Sequence, residues 1–426
     1  MKRDLKPLPS LAEVEREVLA ECREWGRHRL EQRLQQLADQ TGEVSPLRQR
    51  KRRPLTLRTE LGRVKLIVDY GQAPHTQKWF CPQQQAWGLV PHQKITPGLA
   101  EKLCFTAAAT TSYEQAAAVA ARWGVTVDDS LIHQQVQRAG ERADHQSRVR
   151  VTASGNPTPA PAAKTAVVPG ALVIMMDGWM VRHRGGAWGL KPAHVPGERV
   201  AWQECKSAVI YRLAQAAKTE TGRGLLVEKF VVAYCGEPLE FGRRVQAEAR
   251  RRGLGKVPRV YVVADGGVWI WNLVADRFAQ ATGVLDFYHA SQHLWSVAHT
   301  LHPENEAGAR AWVEPLLHQL RHGGEAGVLQ TLQDLPAWCA QREQPLPATV
   351  TKEINYFEHH REHIHYETRA AEGCPVGSGA MESLCGQLQG RFKRGGQFWT
   401  EPGRRRLMAL EVARRNNDWD EVWKLN

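Results

Sequence analysis

Apolar and polar positions change period several times along the chain, and each change marks an element. Over residues 10–40, Leu11, Val14, Val18, Leu19, Cys22 and Trp25 recur at helical spacing on an otherwise polar background. The pattern predicts a helix whose stripe must cover something else, either a second copy or the next domain. Residues 54–90 alternate instead, as in VKLIVDY, around Gly62 and Gly71, which predicts short strands. Between the two, RQRKRR over Arg48–Arg53 reads as a solvated face or flexible arm, with a nucleic-acid contact the less common outcome.

The next stretch reads as two helices. SYEQAAAVAARW is Ala-rich, Gly124 breaks it, and VTVDDSLIHQQVQRAG begins again with Asp128 or Asp129 as cap. Two helices joined by so short a Gly-containing turn fit a helix-turn-helix as well as an ordinary helical hairpin. In the first case the second helix offers Ser130, His133, Gln134, Gln135 and Arg138 to DNA. VTASGNPTPAPAAKTAVVPG, residues 151–170, has little to bury and reads as a linker.

Beyond it, ALVIMMDGW is a near-continuous apolar run, as expected of a strand buried on both faces, and it ends in Asp177 beside Gly178. Candidate strands follow near Arg199–Gln203 and Lys206–Arg212, then a helix over Glu237–Arg252. RVYVVADGG repeats the motif with Asp265, a helix over Val268–Ala281 follows, and VLDFYHA reads as a further strand. This order predicts that the first and fourth strands lie side by side, with both carboxylates at one mouth. Either Asp alone is commonly an N-cap or turn residue. Two in matching contexts point to a hard cation such as Mg²⁺.

CPVGSGAMESLCGQLQGRFKRGG supplies a third acid, Glu382, in the first turn of a helix. Leu384, Cys385, Leu388 and Phe392 form its apolar stripe. Eleven residues at roughly 100° each bring Lys393 back to within about 20° of Glu382. Arg391, Lys393 and Arg394 stand close by as phosphate contacts. His289 and His293 follow the presumed fifth strand and are candidates for supporting the acids or touching DNA. His359 and His363 have a metal-capable spacing, but an exposed helix face is the preferred reading. Trp269, Trp271 and Trp295 read as core, and Arg404, Arg405, Arg406, Arg414 and Arg415 as either phosphate contacts or solvated cations on a terminal helix.

Composition adds three constraints. In 426 residues, 57 Lys and Arg against 45 Asp and Glu leave a net charge of +12, which favours a polyanionic partner. The eight cysteines are scattered without a C-x-x-C pair, so reduced thiols are expected rather than a structural zinc. No apolar run is long enough to span a membrane, and the N-terminus lacks the apolar region of a signal peptide; a cytoplasmic, nucleoid-associated protein is expected.

Taken in order, MMDGW, VVADGG, LDFYHASQHLW, and PVGSGAMES followed by GRFKRGGQFWT resemble the DDE transposases of bacterial insertion sequences, most closely the ISKra-type group, over roughly residues 100–415. The resemblance implies an α/β fold: an RNase H-like mixed-sheet catalytic domain over 171–426, with a mostly helical insertion at about 291–365. Ahead of it would lie an N-terminal helix, basic arm and small β-rich element (1–95) and a helix-turn-helix region (96–150). It implies a triad of Asp177, Asp265 and Glu382 holding two Mg²⁺ ions, for which Mn²⁺ can substitute. It further implies cleavage and strand transfer of double-stranded DNA, transposon ends and target alike, by a homodimer or higher oligomer. Two features depart from the family pattern: only Cys81 remains of a Cys-rich element, and Gln389 stands where some groups have Lys seven residues after the Glu. The alternatives are an inactive or repurposed DNA-binding descendant and a plain RNase H-like nuclease.

Overall fold

A computed structural model describes residues 8–90, 92–155, 169–190, 197–221 and 224–424. The chain forms two compact units, residues 1–139 with 420–426, and residues 140–419.

In the first unit, α1 (Leu11–Val44) starts at a capping box in which Ser10 and Glu13 exchange hydrogen bonds. Strands β1 (Arg48–Thr59) and β2 (Gly62–Gln72) form an antiparallel hairpin, and β3 (Trp79–Phe80) pairs with the end of β2. Only two residues separate β1 from β2, and Gly62 takes φ +114° to close the turn. Alternation buries Leu57, Val64, Leu66 and Val68 against Ala38, with Leu30 and Leu34 of α1 beside them. Glu31 and Gln35 of α1 accept from the Lys65 and Ile67 amides at 2.9 and 2.8 Å, occupying an edge of β2 that would otherwise be open. Helices α2 (Pro82–Ala86), α3 (Pro97–Ala109) and α4 (Tyr113–Arg122) follow, then the long α5 (Asp129–Ala153), whose residues from Gly140 on belong to the second unit. Gly124, at φ +83°, turns the chain after α4, and the Asp128 carboxylate caps α5 by accepting from the Leu131 amide at 2.6 Å.

One expectation narrows here and another changes. RQRKRR is the solvated face and not the flexible arm: it is the exposed first half of β1, because pairing with β2 satisfies its backbone while its side chains remain in water. The apolar stripe of α1 covers nothing among the described residues, and Leu11 and Trp25 are 84% and 72% exposed.

The second unit is built on a five-stranded sheet. Its strands are β4 (Ala171–Arg184), β5 (Val200–Arg212), β8 (Phe230–Tyr234), β9 (Arg259–Ala264) and β10 (Thr282–Leu285), with a small ribbon of β6 (Ala216–Lys218) and β7 (Gly224–Leu226) between β5 and β8. The order is β10-β9-β4-β5-β8, with β4 parallel to β9 and β9 parallel to β10, while β4, β5 and β8 alternate in direction. This mixed sheet is compatible with the RNase H-like arrangement expected from the sequence. Helices α6 (Pro238–Arg251) and α7 (Val268–Arg277) flank β9 in sequence. From β10 onward the described elements are helical: α8 (Phe287–Leu301), α9 (Glu306–His322), α10 (Ala326–Ala340), α11 (Ala348–His359), α12 (Tyr366–Ala371), α13 (Gly379–Phe392), α14 (Glu401–Arg415) and α15 (Trp419–Trp423).

The two candidate strands over 199–212 are one, because VAWQECKSAVIYR holds no Gly or Pro to interrupt it; the third strand is β8. VLDFYHA is half strand and half helix, since Asp286 caps α8. Of the presumed linker, 151–153 continue α5 and 156–168 lie outside the described residues. No helix among the described residues is long and apolar enough to cross a membrane.

Candidate active site

Parallel pairing of β4 with β9 runs from Ala171↔Arg259 to Met176↔Ala264 and stops there. The next residues are Asp177 and Asp265, so the register alone brings the two acids to neighbouring strands at the carboxyl end of the pair, where open α/β sheets hold ligands. Backbone bonds fix each one. Asp177 Oδ1 accepts from the Gly178 amide at 2.6 Å, and Asp265 Oδ1 from the Gly267 amide at 2.9 Å. The indole of Trp271 donates to the Asp265 carbonyl at 2.9 Å. Burial and then the charge of Asp265 hold the Asp177 carboxyl above the usual carboxylate range; the Gly178 amide, the Cys385 thiol and His289 pull it back in part.

Helix α13 packs on β4 and β5 through Met381, Leu384, Cys385, Leu388 and Phe392, and the Phe392 ring lies 6.3 Å from that of Trp179. Cys385 donates its thiol proton to Asp177 Oδ2 at 3.5 Å. Burial, Asp177 and Glu382 together push the Cys385 thiol up, so it stays a donor. Glu382 sits one turn earlier and is exposed. The structure therefore brings Asp177 and Asp265 to neighbouring strand ends and sets Glu382 one helical turn before Cys385, which bonds Asp177. Among the described residues no group of three or more His, Cys, Asp and Glu side chains is placed to hold a metal ion.

Asp286 positions that helix, and the sequence reading missed it. Fully buried, it accepts from the His289 amide at 2.9 Å through Oδ1 and from the Ser378 amide through Oδ2. It thereby ties the PVGSG turn that starts α13 to the start of α8. The Phe287 amide donates to the Val376 carbonyl at 2.9 Å in the same seam. The signal was an Asp just ahead of an aromatic-rich helical period.

Tyr356 of α11 was also missed. A Cβ on Gly266 would stand 2.4 Å from the Tyr356 hydroxyl, so the Asp-Gly-Gly turn is glycine because this ring lies on it. Tyr356 stacks on His293 at 3.7 Å, and His293 Nδ1 bonds Glu353 Oε2 at 2.5 Å. Burial and the Asp265 charge raise the Tyr356 phenol. His293 thus pairs with Glu353 and not with the acids, while His289 lies within electrostatic reach of Asp177.

The other sequence candidates divide. Gln134 is exposed and Arg138 half-buried on α5, one turn apart on one side, while Gln135 is buried. Lys393 caps the end of α13, donating its amide to the Gln389 carbonyl at 2.8 Å, and Arg394 is exposed. Arg391 is not available to DNA: helical period places it with Leu384 and Leu388, 5% exposed, its guanidinium 5.7 Å from the Trp399 ring. Nor are the α14 cations free phosphate contacts. Arg404 is buried on Gln203 at 2.9 Å, Arg405 and Arg406 pair with Asp144 and Glu141, and Arg414 and Arg415 pair with the buried Glu411. His359 and His363 share no helix, since α11 ends at His359; His363 stacks on Trp271 at 3.9 Å.

The chain matches no protein-family model and no curated protein. Among solved structures it has a distant likeness to the Drosophila P element transposase strand transfer complex, with a TM-score of 0.34 and 10% identity over 76% of this chain and 93% of that one.

Proposed function

We propose that this chain is a DDE transposase of the insertion-sequence type, which binds transposon ends and cuts and joins DNA strands with Asp177, Asp265 and Glu382. The observation that carries the reading is the register-matched pair Asp177 and Asp265, whose mutual repulsion favours a divalent cation between them. The donor set suits Mg²⁺ or Mn²⁺: hard carboxylate oxygens, two already adjacent and a third exposed on α13. When bound, two such ions supply charge stabilisation on both sides of an in-line displacement at a phosphodiester.

The chain's own residues would do the rest. The Gly178 and Gly267 amides hold Asp177 and Asp265 in orientation, and Asp286 fixes the turn from which Glu382 projects. On the other unit, the exposed Gln134 and half-buried Arg138 would read the ends, while Lys393 and Arg394 would contact phosphates, on double-stranded ends and target, with the chain acting as a homodimer or higher oligomer. The test is incubation of the full chain with its own element ends in Mg²⁺, Mn²⁺ or EDTA. Asp177→Asn, Asp265→Asn and Glu382→Gln should each abolish metal-dependent cleavage and joining while leaving end binding within about twofold. Wild-type cleavage by any of the three refutes the assignment; cleavage without joined product by the unaltered chain favours a plain nuclease.

A further inference from the structure

Near the far end of β4, rings and cations alternate on the surface. The Arg184 guanidinium lies 5.5 Å from the Trp188 ring, Trp188 packs on Phe398 at 4.6 Å, and Arg182 lies 5.2 Å from Phe398 and 5.8 Å from Trp202. Lys393 Nζ completes the row at 5.8 Å from the Trp202 ring. Arg182 is held there by the carbonyls of Lys393, at 3.5 Å, and Arg394. Trp202 is 52% exposed and Trp188 37%, unusual for a side chain that is highly buried on average. Among the described residues none of the three cations is in an ion pair with a carboxylate. The row offers partly exposed rings and cations without a carboxylate partner at one place.

We infer that this row binds unpaired nucleotides of a DNA strand, bases stacking on Trp202 and Trp188 while Arg184 and Lys393 hold the phosphates. Sequence-tolerant binding of single strands takes aromatic platforms beside a cationic track. A duplex hides its base faces in its own stack and offers such a surface only phosphates. Arg182 follows Asp177 by five residues on one strand, so it stands about 16 Å further along β4 at about 3.3 Å per residue, and the odd separation turns its side chain, with Arg184 and the paired Trp202, to the other face of the sheet. The inference rests on the reading of the chain as a DNA-strand enzyme and deepens it: the substrate would carry a single-stranded stretch, held on the face of β4 opposite Asp177.

The test is fluorescence anisotropy of the full chain in EDTA, with a fluorescein-labelled oligo-dT strand and, separately, a duplex of equal length. Trp202→Ala should weaken single-strand binding about tenfold and duplex binding less than about twofold, and Trp202→Phe should recover most of the loss. Should Trp202→Ala melt early, Arg184→Gln serves instead, and should lower the salt slope for the single strand by about one unit while leaving that for the duplex unchanged. Unchanged single-strand affinity, or equal losses for both ligands, overturns the inference. No cleavage occurs in EDTA, so failure here leaves the acidic-pair reading standing, and failure of metal-dependent cleavage leaves this result standing.

Discussion

Replacing Asp286 tests how the third acid is positioned. Asp286→Ala removes the cap of α8, worth about 1 kcal/mol, and strands the buried Ser378 amide, worth about 1–3 kcal/mol more. The combined loss is about 3 kcal/mol. For the 280 residues of the second unit, at about 2.1 cal/mol/K per residue, that lowers Tm by about 5 °C. Asp286→Ser separates the two bonds, because a serine hydroxyl caps the His289 amide and is too short to reach Ser378. The Ser variant should therefore lose about 2 kcal/mol. Calorimetry gives the Tm values, and hydrogen exchange resolves the bonds: the Ser378 amide should exchange fast in both variants, and the His289 amide only in Ala. Ser378 protection that survives Asp286→Ala would refute the idea that this carboxyl pins the turn ahead of Glu382.

Asp177→Asn should raise Tm in EDTA at pH 8. The Asp177 carboxyl is held above its unfolded value, so its penalty is absent below the usual carboxylate range and full above the raised one; the gain must fade toward pH 3, and a pH-independent difference in thermal scans contradicts the coupling. Arg404→Met removes a cation 1% exposed and strands the Gln203 amide oxygen it donates to, and should cost about 1–3 kcal/mol in urea titrations; a stabilised variant would mean that burying the cation costs more than its bonds return. Arg138→Ala should weaken binding to element ends and reduce the salt slope by about one unit in filter binding; an unchanged slope removes α5 from the interface.

The acidic pair was legible because each Asp ends an apolar run that must lie inside a sheet, and strand order then fixes neighbours. What escaped depended on partners far along the chain. Asp286 looks like a strand residue until the Ser378 amide, 92 positions on, is seen to need it. Arg391 looks like a phosphate contact until Trp399 covers it, and the α14 arginines look solvent-facing until Glu141, Asp144 and Glu411 claim them. β8 is five residues long, too short for its alternation to stand out. Local period was informative for long elements, and side-chain pairing across the fold was not.

A half-buried Asp177 facing Asp265 is a choice that selection for stability alone would discard. Either residue could become its amide, keep much of its backbone bonding and relieve the repulsion. A chain that carries this arrangement is therefore less durable than its neighbours in sequence space, and the deficit is concentrated at one mouth of one sheet. Local rules are broken where something other than folding is being selected. The pair thus marks a trade-off that variants screened for heat resistance should be the first to abandon.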